Sequence, residues 1–195
     1  MRNGITFLFT FLLLGSFQFS DAQVLGSFDG HPSGDIALPP VFIKNQGQWN
    51  DNIVYRTSGD GATVSFLKDG ISYGFIRETE ESEDREFDMM VWNAHFEGSN
   101  LNVGFEGKGE VATNISYFKG NNSDRHAPNV PAFAQIGYDN LYDNINLKYY
   151  TREGKLKYDF IVEPGGKVAD IRVRCDGVKN LEINKNGELE VETSW

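Results

Sequence analysis

The stretch Leu156-Lys157-Tyr158-Asp159-Phe160-Ile161-Val162 carries the most regular pattern in the sequence. Apolar or aromatic residues hold every second position, and Lys157 and Asp159 stand between them. Successive side chains of a β-strand point to opposite faces, so the pattern predicts a strand with one buried face and one face in water. Pro164, Gly165 and Gly166 come shortly afterwards and predict the end of this strand.

The same alternation recurs in further runs, at residues 62–66, 71–75, 145–149, 171–175, 181–183 and 189–191. Asp69-Gly70 and Asn186-Gly187 each lie between two such runs and predict tight β-hairpins. Helical periodicity is absent, and we predict at most short helical turns near residues 140–142 and 167–170. One-sided alternation is typical of antiparallel sheets, so we predict an all-β, antiparallel, β-sandwich-like domain of two sheets.

The N-terminal residues indicate export. Residues 1–22 combine Arg2, a run of about ten apolar residues and the small residues Ser20 and Ala22, which is the pattern of a secretory signal peptide. The apolar run is too short for a membrane-spanning helix, which needs about 20 residues, so we predict no membrane span after cleavage. Residues 23–40 are rich in glycine and proline and predict a linker, followed by a β-rich extracellular domain over residues 41–195.

The charge of the chain argues against nucleic-acid partners. Lys and Arg total 18 against 28 Asp and Glu, a net charge of −10, which repels phosphate backbones. Residues 78–88 hold seven of the acidic residues and one arginine, and therefore carry six of the ten negative charges. We interpret this run as a solvated loop. The alternative is a Ca²⁺ site, with Glu80, Glu81, Glu83 and Asp84 as candidate ligands; no other cofactor is predicted.

No motif of a known catalytic site occurs in the sequence, and we predict a protein that is not an enzyme. The single cysteine, Cys175, lies on the apolar face of its predicted strand, so we interpret it as a buried free thiol. The alternative is a hydrolase of glycans. Its best carboxylates are Asp139, Asp143 and Asp159, which lie in or near predicted strand ends.

Aromatic and amide side chains give a candidate binding site for an extracellular glycan. Trp49, Tyr138 and Tyr142 could stack on sugar rings, and Asp139 and Asp143 could accept hydrogen bonds from hydroxyl groups. Trp49 and the segment around Tyr142 each have a structural interpretation as well. Trp49 could pack into the core, and the run of Asn and Asp around Tyr142 could form a turn that bonds its own backbone.

Several segments in order resemble a secreted domain. They are residues 42–49, 114–121, 129–133, 138–147, 156–165 and 181–189. Together they are similar to the uncharacterised N-terminal domain that precedes SBBP-type β-propeller repeats in large secreted or surface proteins of Bacteroidota-type bacteria. Those proteins often carry immunoglobulin-like modules and a sorting domain for type IX secretion.

The resemblance implies a secreted or cell-surface module and supplies no catalytic residue. In that family the domain continues beyond the equivalent of Trp195, so we expect this chain to be truncated at its C-terminus. We therefore expect a non-catalytic β-domain of a larger adhesion or display protein, with a surface protein or an extracellular glycan as partner. The alternatives are a carbohydrate-binding module and a glycan-active hydrolase.

Overall fold

The computed structural model describes residues 41–59, 62–78, 87–118, 120, 126–152 and 154–194. Within these ranges the chain is almost entirely antiparallel β-structure, which confirms the predicted fold class. The strands are β1 Phe42–Lys44, β2 Ile53–Gly59, β3 Ala62–Leu67, β4 Gly70–Glu78, β5 Phe87–Phe96, β6 Gly104–Tyr117, β7 Ala127–Tyr142, β8 Ile145–Arg152, β9 Lys155–Val162, β10 Val173–Asp176, β11 Asn180–Ile183 and β12 Leu189–Glu192.

The predicted signal peptide, the linker and the four candidate Ca²⁺ ligands Glu80, Glu81, Glu83 and Asp84 lie outside the described residues. In the part of the chain that the structure describes, no helix has the length and apolar character needed to cross a membrane.

Ten strands form one large sheet, and β11 and β12 form a small second sheet. The large sheet has the order β10-β5-β4-β3-β2-β1-β7-β8-β9, and β6 pairs with β7 outside this path. All pairings are antiparallel. Both predicted hairpins are confirmed: Phe66 lies opposite Ile71 around the first turn, and Leu181 lies opposite Val191 around the second.

The long strand β7 explains how the large sheet curls onto itself. Phe133 of β7 lies between Phe42 of β1 and Glu110 of β6, whereas Gln135 lies between Tyr150 of β8 and Lys108 of β6. Strands β1 and β8 therefore share one edge of β7, while β6 covers the other edge. Two arms leave that shared edge, one through β1 to β10 and one through β8 and β9, and they face each other as the layers of a sandwich do.

Aromatic side chains from both arms fill the space between them. The ring of Phe66 on β3 meets that of Tyr149 on β8, with centroids 4.9 Å apart. The ring of Phe96 on β5 meets that of Tyr138 on β7 at 5.7 Å, and both residues are buried. Large aromatic residues dominate the energetics of such cores because each removes a large apolar area from water.

Three local predictions can be compared with the structure. Residues 140–142 do not form a helical turn, because they complete β7, with Asn140 in the left-handed region at φ 53°. Residues 167–170 do contain a 3-10 helix, at Val168–Asp170. Cys175 is a free thiol that is only half-buried; it packs against the core, and burial raises its pKa.

Candidate functional site

The structure separates the predicted sugar-binding residues by burial. Tyr138 and Tyr142 are 1% and 3% exposed, so neither ring offers a free face to a sugar. The Tyr138 hydroxyl donates to the carbonyl of Leu67 at 3.0 Å, and the Tyr142 hydroxyl donates to the carbonyl of Arg172 at 2.8 Å. Burial raises the pKa of both phenols. These two tyrosines belong to the core and contribute no stacking surface.

Asp139, near the end of β7, and Asp143, in the turn between β7 and β8, are both exposed. The amides around them bond the backbone of the same region: the Asn140 N–H donates to Asn146 Oδ1 at 2.7 Å, and Asn100 Nδ2 donates to the Asn140 carbonyl at 2.8 Å. The structural interpretation of this run, a turn held by its own Asn side chains, matches these contacts. The carboxylates of Asp139 and Asp143 lie on the surface beside this turn.

Asp159, the third carboxylate of the hydrolase alternative, is engaged in a nearly buried ion pair. Its Oδ2 lies 2.9 Å from Lys148 Nζ, and its Oδ1 accepts a hydrogen bond from the Tyr150 hydroxyl at 3.3 Å. The side chain of Asp159 is 8% exposed. Both of its oxygens therefore have protein partners, as a buried carboxylate requires, and the hydrolase alternative loses this residue as a free acid or base.

Trp49 is held by a tightly bonded loop between β1 and β2. Asn45 organises this loop: its Nδ2 donates to the carbonyls of Asn50 and Ile53, and its Oδ1 accepts from the N–H groups of Gly47 and Trp49. Gly47 has φ 101°, a conformation that favours glycine over every other residue. The sequence Asn45-Gln46-Gly47-Gln48-Trp49 therefore forms a compact turn that fixes the position of the indole.

The indole of Trp49 is part of a cluster that we call the Trp49 cluster, made of Trp49, Arg56, Ser65 and Tyr117. The ring of Tyr117 meets that of Trp49 edge to face, with centroids 5.4 Å apart. The guanidinium carbon of Arg56 lies 4.6 Å from the Trp49 ring centroid, a cation–π distance. Trp49, Arg56 and Tyr117 are all half-buried, so part of each side chain remains reachable from solvent.

Arg56 was not predicted as a site residue. It lies on β2 between Tyr55 and Thr57, which are both buried, and its side chain leaves the sheet on the opposite face. Its Nε donates to Ser65 Oγ on β3 at 3.0 Å. A charged residue between two buried positions of β2 was the available signal, but the sequence does not show that Tyr117, 61 positions later, would lie beside it.

A second surface consists of four exposed apolar residues on β4 and β5, which we call the apolar strip. Ile76, Phe87, Met89 and Val91 are 55%, 51%, 70% and 43% exposed. Phe87, Met89 and Val91 are spaced two apart on β5, so they share one face of the sheet. Ile76 lies directly opposite Met89, and Gly74 lies opposite Val91.

The described residues contain no group of three or more His, Cys, Asp or Glu side chains placed to hold a metal ion. The candidate Ca²⁺ ligands of the acidic run are not among those residues, and that prediction stays open.

A family model with the description Domain of unknown function (DUF7948) matches residues 42–195, which is most of the chain. Comparisons with curated proteins and with solved structures produced no match.

Proposed function

The chain belongs to this family of domains of unknown function, and from that premise we propose that it is a non-catalytic β-domain of a larger secreted or cell-surface protein, with a role in adhesion or display. The observation that carries the proposal is the apolar strip. The outer face of an antiparallel sheet is normally polar where it meets water. A contiguous apolar patch on such a face is typical of a surface that contacts another protein.

The size and position of the strip favour a partner within the same polypeptide. Four side chains cover much less than the roughly 800 Å² per partner of a stable complex between separate proteins. Contacts between modules of one chain need less area, because the linker supplies a high effective concentration. The strip lies on the sheet face formed by β4 and the first half of β5, and a docking module would cover this face. Among the described strands, β10 pairs with β5 only from Asn93 to Phe96, so the strip reaches an edge of the sheet.

A photo-crosslinking amino acid in place of Met89, in the full secreted protein, tests this proposal. The expected product is a crosslink within the polypeptide, between the strip and a neighbouring module. The same amino acid in place of Ile183 is the matched control, since Ile183 is also 70% exposed but lies in the small second sheet. A crosslink from Met89 to a second copy or to another protein would contradict the choice of partner. Equal, weak crosslinking from both positions would contradict docking altogether.

Export is tested separately by deleting residues 5–14, the apolar part of the predicted signal peptide. The expected result is that the intact chain is recovered outside the cell or at its surface without residues 1–22, while the deletion variant stays inside. Recovery of both forms in the same compartment would contradict the proposed location.

A second candidate function, carbohydrate binding, rests on the Trp49 cluster. Trp49 and Tyr117 present two half-exposed rings at a steep angle, 71° between their planes. Trp49 lies on a loop held by several hydrogen bonds, and Tyr117 ends β6. Sugar rings pack their C–H faces against aromatic rings, and a preorganised ring loses little entropy on binding. Affinity electrophoresis on a panel of polysaccharides tests this role. Leu101→Ala, at a fully exposed apolar residue, is the control. Retardation that Trp49→Ala abolishes and Leu101→Ala leaves unchanged supports this role; no retardation of the native domain contradicts it.

A further inference from the structure

Arg56 has hydrogen-bonding capacity that the described part of the chain does not use. A guanidinium carries five N–H donors in a planar fork. Among the described residues, the hydrogen bond of the Arg56 side chain goes from Nε to Ser65 Oγ. The guanidinium carbon also lies over the Trp49 ring, a cation–π contact that uses no N–H donor in a conventional hydrogen bond. Within the part of the chain that the structure describes, the two terminal NH₂ groups therefore have no acceptor, and they can pair with a ligand.

The electrostatic surroundings of Arg56 differ from those of a paired arginine elsewhere in the domain. Arg174 contacts Asp176 and Glu97, and these carboxylates raise its pKa. The pKa of Arg56 is lowered, mainly because partial burial disfavours the charged form; the nearby Tyr117 acts in the opposite direction. No described carboxylate forms an ion pair with Arg56. A half-buried cation without a counter-charge is poorly solvated, and an anionic ligand would relieve that cost.

We propose that the Trp49 cluster binds a carboxylate on a sugar, with Arg56 as the residue that holds it in a bidentate pair. This inference rests on the carbohydrate-binding role and names its ligand as a glycan that carries uronic-acid residues. The planar guanidinium fork matches the two oxygens of a carboxylate. The rings of Trp49 and Tyr117 lie beside the fork, where the sugar that bears the carboxylate would pack.

The charge of the whole chain restricts the ligand further. A net charge of −10 repels a densely charged polyanion, such as a heavily sulfated polysaccharide. One arginine can pair with one carboxylate, so the ligand is a glycan whose uronic acids are spaced among neutral sugars.

The test compares each uronate oligosaccharide with its carboxyl-reduced counterpart, which has the same sugar rings and no charge, by titration calorimetry. The native domain is expected to bind the uronate form about ten- to a hundredfold more tightly, the range of a charge-assisted hydrogen bond. Arg56→Gln should remove this preference, measured as the ratio of the affinities for the two forms. Arg56→Lys, which keeps the charge and loses the fork, should retain part of the preference. Arg174→Gln is the matched control and should change nothing.

The outcomes separate the inference from the role on which it rests. Equal affinity of the native domain for both forms leaves carbohydrate binding standing and overturns the carboxylate site. Tighter binding to a sulfated dextran than to the uronate glycan overturns the choice of a sparsely charged ligand.

If the domain binds no glycan, titration with sodium acetate, followed through the Arg56 Nε–H resonance, tests the carboxylate site alone. A saturable shift supports the site while the carbohydrate role fails, and no shift overturns both. Thermal unfolding of each variant confirms that it folds; should Arg56→Gln not fold, Arg56→Lys serves for the comparison.

Discussion

The hydroxyl of Tyr138 donates a hydrogen bond to the main-chain carbonyl of Leu67, 71 residues earlier in the chain, across 3.0 Å. Leu67 ends β3 in one arm of the curled sheet, and Tyr138 lies on β7, from which both arms depart. The contact therefore joins segments that are distant in sequence at the centre of the fold. It also shows why Tyr138, a candidate sugar-binding residue from its sequence context, is instead 1% exposed.

Replacement of Tyr138 by Phe is expected to lower the free energy of unfolding by about 1 kcal/mol, the net contribution of one hydrogen bond. Urea denaturation followed by circular dichroism measures the change. Tyr55→Phe is the control: Tyr55 is also buried, and its hydroxyl has no described hydrogen-bond partner. A loss of the same size in both variants would mean that the Leu67 contact contributes nothing.

Alkaline pH should destabilise the domain. Burial raises the pKa of Tyr138 and Tyr149 well above the usual value, and it raises the pKa of Tyr158 to about 12. In the unfolded chain these phenols titrate near pH 10. Between pH 10 and 12 the folded state therefore holds more protons than the unfolded state, and stability falls as the pH rises. Below about pH 10 this contribution is fully present.

Urea denaturation at a series of pH values from 8 to 12 measures this effect, and Tyr158→Phe should give a shallower decline above pH 10. A free energy of unfolding that stays constant between pH 8 and 12 would contradict the prediction.

The ion pair between Asp159 and Lys148 should contribute to stability. Asp159→Asn leaves Lys148 without its partner in a partly buried position, and we expect a loss of about 2 kcal/mol, less than for a fully buried pair because the Lys148 side chain is 30% exposed. Chemical denaturation measures it. Lys108→Ala, which removes the exposed contact between Lys108 and Glu106, is the control and should have no measurable effect. Equal losses in the two variants would show that burial of the pair is unimportant.

Gly107 on β6 should not tolerate a side chain. A Cβ atom at this position would lie 2.6–2.7 Å from atoms of the Phe133 ring, which packs over the glycine. Gly107→Ala is expected to cost about 1–3 kcal/mol, because the ring must leave its packed position. Thermal unfolding measures the loss. At Gly74, in the middle of β4, the nearest atom to such a Cβ is 3.7 Å away, so Gly74→Ala should be much milder. The opposite order would refute the packing argument.

Asn45 should determine whether Trp49 can act in binding. Asn45→Ala removes the acceptor for two N–H groups and the donor to two carbonyls in the loop, and we expect a loss of about 1–3 kcal/mol. If Trp49 binds sugars, the same variant should also weaken retardation on the polysaccharide that retards the native domain. Asn50→Ala removes one side-chain hydrogen bond of the same loop and should have a smaller effect on both measurements. Unchanged polysaccharide binding by the Asn45→Ala variant would show that the conformation of this loop does not matter for binding.

The turns and several strands were predictable from local sequence. Asp69-Gly70 and Asn186-Gly187 are tight-turn sequences, and the structure places a hairpin at each. The alternation around Tyr158 and Phe160 likewise corresponds to β9. These features are local, because a two-residue turn and a period of two need no information from distant residues. The expectation that Asp159 faces water is wrong, because its carboxylate is buried in the ion pair with Lys148.

The two longest strands, β6 and β7, were not predictable in the same way. Strand β6 contains Gly104, Gly107 and Gly109, and β7 contains Pro128 and Pro131, residues that weaken strand patterns. The tertiary structure explains the glycine at position 107. Gly107 makes room for the Phe133 ring, which belongs to a neighbouring strand. This packing depends on the pairing of β6 with β7, which the local sequence does not show.

The sequence by itself determined the all-β class, the hairpin turns and the concentration of negative charge in one segment, since each follows from residues close together in the chain. Tertiary structure decided which candidate residues reach the surface. Tyr138 and Trp49 are both aromatic residues with polar neighbours in the sequence. In the structure Tyr138 is buried between the arms, and Trp49 lies half-exposed beside Arg56 and Tyr117. The physical reason is the pairing of β7 with β1, β6 and β8. That pairing sets the order of the strands, and the order of the strands sets which distant side chains meet.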